Sequence, residues 1–160
     1  MNFLNKLYKT EQSTYCLTIG KDCCCKSSTV LIESINSAKF EIVACVYKLN
    51  DYAVVTALEQ ALNRGVKIYI IADYKNNQNS KFMNKLVDSG AQVLFWNKHE
   101  KLHAKFTLVD NHHVLTGSFN WTVSKRHKVD LIISLYDNVS TTNFKSLFDE
   151  LKSICLKDEK

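Results

Sequence analysis

Hydrophobic positions along the chain switch repeatedly between two periods. Residues 40–47, 66–72 and 91–96 are short, β-rich apolar runs, as in strands covered on both faces. Between them the apolar residues recur at helical spacing. Residues 27–37 line up Val30, Leu31, Ile35 and Ala38 behind Ser27 or Ser28 as N-cap. Residues 52–63 present Val54, Val55, Leu58 and Leu62, with Asp51 to cap and Gly65 at the C′ position. Residues 80–89 turn Phe82, Leu86 and Val87 inward and stop at Gly90. Further short strands are expected at 15–19, 105–109, 113–115 and 129–136, with Asp110-Asn111-His112 as a turn. Residues 73–79 form a polar loop, and 142–156 a last amphipathic helix built on Phe144, Leu147, Phe148, Leu151 and Ile154.

Strands and helices that alternate and then give way to a hairpin predict an α/β layered domain, a mixed central sheet flanked by helices. The division is an N-terminal extension at 1–13, one domain at 14–156 and a tail at 157–160. Composition agrees: of 160 residues 46% are hydrophobic and 23% charged, which excludes a largely disordered chain. No apolar run approaches the roughly 18 residues of a spanning helix. Lys6 and Lys9 interrupt any signal-peptide core, so the expected compartment is the cytoplasm. There Cys16, Cys45 and Cys155, set among apolar residues, read as buried thiols. Cys23, Cys24 and Cys25 are consecutive and no CxxC pair accompanies them, so no zinc site and no cofactor is expected. Lys plus Arg exceeds Asp plus Glu by 21 − 16 = 5, which permits an anionic partner without requiring one.

The chemistry concentrates in residues 99–130. His103 and Lys105 stand two apart on an expected strand and so share a face. Ser118 and Asn120 repeat that relation after the next strand and can bring a hydroxyl and an amide to the same place. An ammonium with neutral donors suits a phosphate, and a histidine adds a nucleophile or proton donor near neutral pH. His99 and His103 lie four apart, but in a loop entering a strand rather than on a metal-binding helix. His112 and His113 fall in the turn and are expected to be solvated. Trp96 and Trp121 read as core residues, with base stacking as the alternative. Lys98, Lys101, Lys125, Arg126 and Lys128 surround the motif as a candidate polyanion track.

Written as a pattern, His103, Lys105, Asp110, Gly117, Ser118 and Asn120 give H-x-K-x(4)-D-x(6)-G-S-x-N. This resembles the HKD motif of the phospholipase D superfamily, and the continuation Phe119-Asn120-Trp121-Thr122 is similar to its small nucleases and to mitochondrial cardiolipin hydrolase. The stretches SAKFEIVACVY, ALEQALNRGVKIYIIAD and LVDSGAQVLFW resemble the elements preceding the motif in that family. The resemblance implies metal-independent phosphodiester hydrolysis in two displacements. One HKD histidine forms a phosphohistidine while a second gives and takes the proton.

A single motif implies a homodimer that pairs His103 with the second copy's His103. Lys105, Ser118 and Asn120 would then bind phosphate oxygens. The family orients its histidine with a downstream glutamate; here the nearest acid is Asp130. Asp110, at a strand end, reads as a structural support more than as a base. The leading expectation is an endonuclease on DNA or RNA. The alternatives are a phospholipase D-type hydrolase of cardiolipin or another phospholipid, with an anionic phospholipid as possible partner, and a nucleic-acid-binding module with weak turnover.

Overall fold

The computed structural model describes residues 7–9, 13–19, 27–123 and 129–157, with side chains over 27–123 and 130–157. The N-terminal strands β1 (Leu7–Lys9) and β2 (Ser13–Ile19) precede helix α1 (Ser27–Ser37). Then follow β3 (Glu41–Val46), α2 (Tyr52–Asn63), β4 (Lys67–Asp73), the single turn α3 (Tyr74–Asn77), α4 (Lys81–Asp88) and β5 (Gln92–Trp96). The hairpin β6 (Phe106–Val109) and β7 (His113–Gly117) leads to β8 (Val129–Leu135) and α5 (Asn138–Lys157). All eight strands join one mixed sheet in the order β1-β2-β8-β7-β6-β3-β4-β5. Leu7–Lys9, assigned from sequence to an extension, is thus an edge strand paired with β2.

The sheet is covered on both sides. On β3, Ile42, Ala44 and Val46 turn to a cluster shared with Leu31, Ile35, Val55 and Leu58 of α1 and α2. Val43 and Cys45 turn the other way, toward Phe148 and Cys155 of α5. Each fully buried Leu or Ile contributes about 1.5–3 kcal/mol, so these two layers dominate stability. Burial pushes the Cys45 thiol well above its ordinary range, with Cys155 beside it, so Cys45 is a packing residue. The side chains of Cys16 and Cys23 to Cys25 lie outside the described residues.

Three helices differ from the pattern reading. In α4 it is Met83, fully buried, that turns inward, while Val87 is 48% exposed; two turns bury one narrow stripe, and Val87 falls beside it. Leu147 of α5 is likewise exposed. That helix also begins earlier than residue 142, because Asp137 accepts the Ser140 backbone N–H at 2.7 Å and caps it. The loop at 73–79 contains α3, capped by Asp73.

His113 reverses its expected setting. It opens β7, is buried, and stacks on Tyr136 with ring centroids 4.2 Å apart. Its Nε2 has no hydrogen-bond partner among the described residues. Burial, aided by His112, lowers its pKa from 6.5 to about 4. The unfolded chain therefore binds more protons than the folded one between those values. Stability is full above pH 6.5 and falls as pH drops toward 4, by at most about 3 kcal/mol from this residue. Replacing His113 with Phe is expected to remove that share of the acid loss. Urea midpoints of both proteins at pH 7 and pH 4.5 check it; an equal acid loss in both would exclude His113 as its source.

Strand β3 runs parallel to β4 and antiparallel to β6. The carboxyl ends of β3 and β4 and the start of β6 therefore lie along one sheet edge. Chain direction reverses at that edge, which is where open α/β sheets leave a crevice for ligands.

Candidate active site

His103 and Lys105 lie on irregular backbone just before β6, not on the strand itself. What gathers them is Tyr47, one residue past the end of β3. Cys45 pairs with Phe106, and continuing that antiparallel register sets Tyr47 beside Ala104. The Tyr47 and His103 rings meet edge to face at 4.6 Å. The Lys105 ammonium sits 5.2 Å from the Tyr47 ring and donates to the His103 carbonyl at 2.7 Å. Partial burial lowers the Lys105 pKa. The backbone on both sides is fixed, since Thr116 Oγ1 donates to the Lys105 carbonyl at 3.0 Å. His103 itself is exposed, and its ring nitrogens have no hydrogen-bond partner among the described residues. A tyrosine ending a buried strand was the available sequence signal for Tyr47; only the strand register makes it informative.

A second support comes from β4. Asp73, buried, accepts the Leu102 backbone N–H at 3.2 Å and so ties the His103 segment to the end of β4. Asn77, also buried, donates to the Tyr47 carbonyl and accepts the Leu49 N–H, at 2.9 and 3.1 Å. The two side chains hold His103 and Tyr47 from one wall. Polar groups with this many backbone partners are costly to remove once buried.

Gly117 ends β7 at φ 147°. Ser118 follows and is committed to β8: its hydroxyl accepts the Leu131 N–H at 2.9 Å and donates to Asp130 Oδ1 at 3.2 Å. Its one O–H proton is thus directed at Asp130 rather than into open space. Asn120 lies three residues past β7, and its side-chain oxygen is buried without a partner among the described residues. Lys105, Thr116, Gly117, Phe119 and Trp121 line one depression on this edge. Trp121 is buried in the core, and its carbonyl accepts the Asn50 and Asp51 N–H groups. Trp96 is partly covered and donates to the Glu100 carbonyl at 2.9 Å.

Asp110 stands at the far end of β6 from Lys105, on the order of 15 Å along the strand. Its carboxylate accepts the N–H groups of Lys39, Phe40 and Glu41 at 2.8–2.9 Å. Partial burial pushes its pKa up, but these three bonds outweigh that and hold it below the ordinary value. The motif aspartate therefore anchors the start of β3 to the hairpin. Of the basic residues, Lys98 and Lys101 lie within the described residues, with Lys101 exposed; Lys125, Arg126 and Lys128 lie outside them. No group of three or more His, Cys, Asp or Glu comes together as a metal site among the described residues.

Residues 31–152 match the family model described as "Cardiolipin synthase, PLD-like domain". The chain is 31% identical over 134 residues to a phospholipase D of Rickettsia prowazekii, covering 81% of this chain and 62% of that protein. It is 26% identical over 125 residues to the mitochondrial cardiolipin hydrolase of Chlamydomonas reinhardtii, covering 75% and 55%. The chain thus spans less than two thirds of the length of these curated relatives. Its fold superimposes on Nuc from Salmonella typhimurium, a phospholipase D family member, with a TM-score of 0.75 at 22% identity, covering 87% of this chain and 95% of that one.

Proposed function

The chain belongs to the phospholipase D-like family, and from that premise we propose that it is a metal-independent phosphodiesterase. Its site is completed by a second copy of the chain, and its leading substrate is a nucleic-acid backbone. The observation that carries this is His103, exposed at the sheet edge beside an immobilised Lys105, with one such motif in the 160 residues. A two-step displacement needs two histidines. A two-fold axis through this edge supplies the second.

In the first step a neutral His103 nitrogen attacks phosphorus and a P–N bond forms. The P–O bond to the leaving group breaks, and that oxygen takes a proton from the second copy's His103. In the second step that histidine, now neutral, removes a proton from water. The water oxygen bonds to phosphorus, and the P–N bond breaks. Lys105 and Asn120 of both copies stabilise the phosphoryl oxygens. Asn120 does so through its amide N–H groups; its orphaned side-chain oxygen is an acceptor and calls for a donor from a ligand or the second copy, since a buried acceptor left alone costs about 1–3 kcal/mol. Asp130 keeps its second oxygen for an imidazole N–H. Asp110 acts only by holding the hairpin.

A phospholipid diester is the second reading, favoured by the names of the relatives. No helix among the described residues is long and apolar enough to cross a membrane. A lipid substrate would thus be met at a surface. The test is cleavage of end-labelled single-stranded DNA and RNA in EDTA, run beside release of phosphatidic acid from cardiolipin vesicles, at concentrations where sedimentation shows a dimer. Polymer shortening in EDTA is expected. Lipid turnover alone selects the second reading. A dimer inert toward all three contradicts the proposal.

A further inference from the structure

A groove opens beside the histidine site, at the carboxyl ends of β3 and β4. It encloses about 380 Å³ and is lined by Lys48, Asn50, Lys75, Asn79, Lys81 and Phe82 among others. Among the described residues no acidic side chain lines it. Lys48 and Lys75 are exposed and neither forms an ion pair among the described residues; Lys81 is exposed with its ammonium 5.3 Å from the Phe82 ring. Lys75 and Lys81 follow β4 six residues apart, and the parallel β3–β4 pairing brings Lys48, 27 residues earlier than Lys75, to the same end of the sheet.

The groove is linked to the site through the chain that follows β3. Lys48 and Asn50 follow Tyr47, whose ring touches His103. Asn77, which also lines the groove, grips the backbone between Tyr47 and Leu49. Strand β4, whose end forms the groove, lies two strand spacings from β6, roughly 10 Å. That distance corresponds to about one to three nucleotides from a phosphate at His103.

We propose that this groove is a second phosphate-binding subsite, holding the single-stranded polynucleotide backbone one to three nucleotides from the scissile bond through Lys48, Lys75 and Lys81. Three ammonium groups at separate points of one open channel suit a chain of spaced phosphates rather than one compact anion. Asn50 and Asn79 add neutral donors along the same wall. The assignment rests on the nucleic-acid reading above and names where the polymer runs.

The test is fluorescence anisotropy with a labelled 12-nucleotide single strand and the 160-residue His103→Asn protein, which binds without turnover. The triple variant K48Q/K75Q/K81Q in that background is compared with a charge-matched control, K39Q/K67Q/K157Q, at exposed positions elsewhere. Thermal melts confirm that both triples are folded. The groove variant is expected to bind about 10- to 100-fold more weakly. Its log K against log salt slope should be shallower by about 2, as three lost phosphate contacts on a single strand require. Equal losses in both triples, or no loss in the groove variant, overturn the subsite while leaving the nuclease reading intact. Failure of the His103→Asn protein to bind any strand overturns both. Binding to cardiolipin vesicles that depends on the three groove lysines, without strand binding, reassigns the groove to a lipid surface and overturns the proposal.

Discussion

Replacing His103 with alanine is expected to lower kcat on the cleaved diester by about 10⁴-fold or more, the scale of losing a covalent nucleophile. In a two-fold site the substitution removes the proton donor at the same stroke, so little residual turnover should remain. Stability should barely change. His103 is exposed, its side chain makes no hydrogen bond among the described residues, and its contact with Tyr47 is a single edge-to-face pair at 4.6 Å. A pair of this kind contributes about 0.5–1.5 kcal/mol. Steady-state rates and a thermal melt on the same preparation check both halves. Retention of a tenth of the activity would remove His103 from the chemistry. A collapse in melting temperature would make it structural instead.

Gly117→Ala carries the largest expected effect on stability. A Cβ built there lies 2.0 Å from the Leu131 carbonyl oxygen, and the backbone sits at φ 147°, which side chains rarely adopt. The obstacle is backbone, so no rotamer change relieves it. Either β7 and β8 separate at Gly117–Ile132 or the glycine turn refolds. Both routes strain the fold, with a cost of about 3 kcal/mol or more. At this chain length that lowers Tm by about 10 °C. Ser118 and Asn120 follow directly, so kcat should drop as well. An unchanged Tm would show that the close approach to Leu131 is not maintained in solution.

Sequence legibility followed the range of the interactions. Helix α2 was readable to its ends, since Asp51 caps it and Gly65 follows it within its own local pattern. The candidate site was readable as a motif because His103, Lys105, Ser118 and Asn120 come from adjacent segments. Contacts between distant segments were not. Tyr47 reaches His103 only through the β3–β6 register, and Asp73 binds Leu102 across 29 residues. Strand periodicity placed His103 and Lys105 on one β face, whereas they precede the strand and meet at a ring. His113 differs from its expected setting because a polar turn such as Asp110-Asn111-His112 predicts exposure for its neighbour, while the turn closes at His112 and Val109↔His113 is the first pair of β7. The Asp137 cap was overlooked, and with it the first turn of α5. The meeting of Lys48 with Lys75 and Lys81 carries no sequence signal, since sheet topology brings it about.

The central claim is that His103 becomes covalently bonded to phosphorus in a site shared by two chains. Its most direct measurement is a rapid quench into alkali, under single-turnover conditions in EDTA, with a substrate phosphorus-labelled at the scissile position, followed by peptide mapping. Label is expected transiently on the peptide containing His103, stable in base and lost in acid, as a phosphoramidate requires. His103→Ala subunits mixed in excess with wild type are expected to suppress adduct formation along with cleavage. Cleavage that proceeds with no labelled histidine at any quench time would contradict it, as would undiminished activity in mixed dimers.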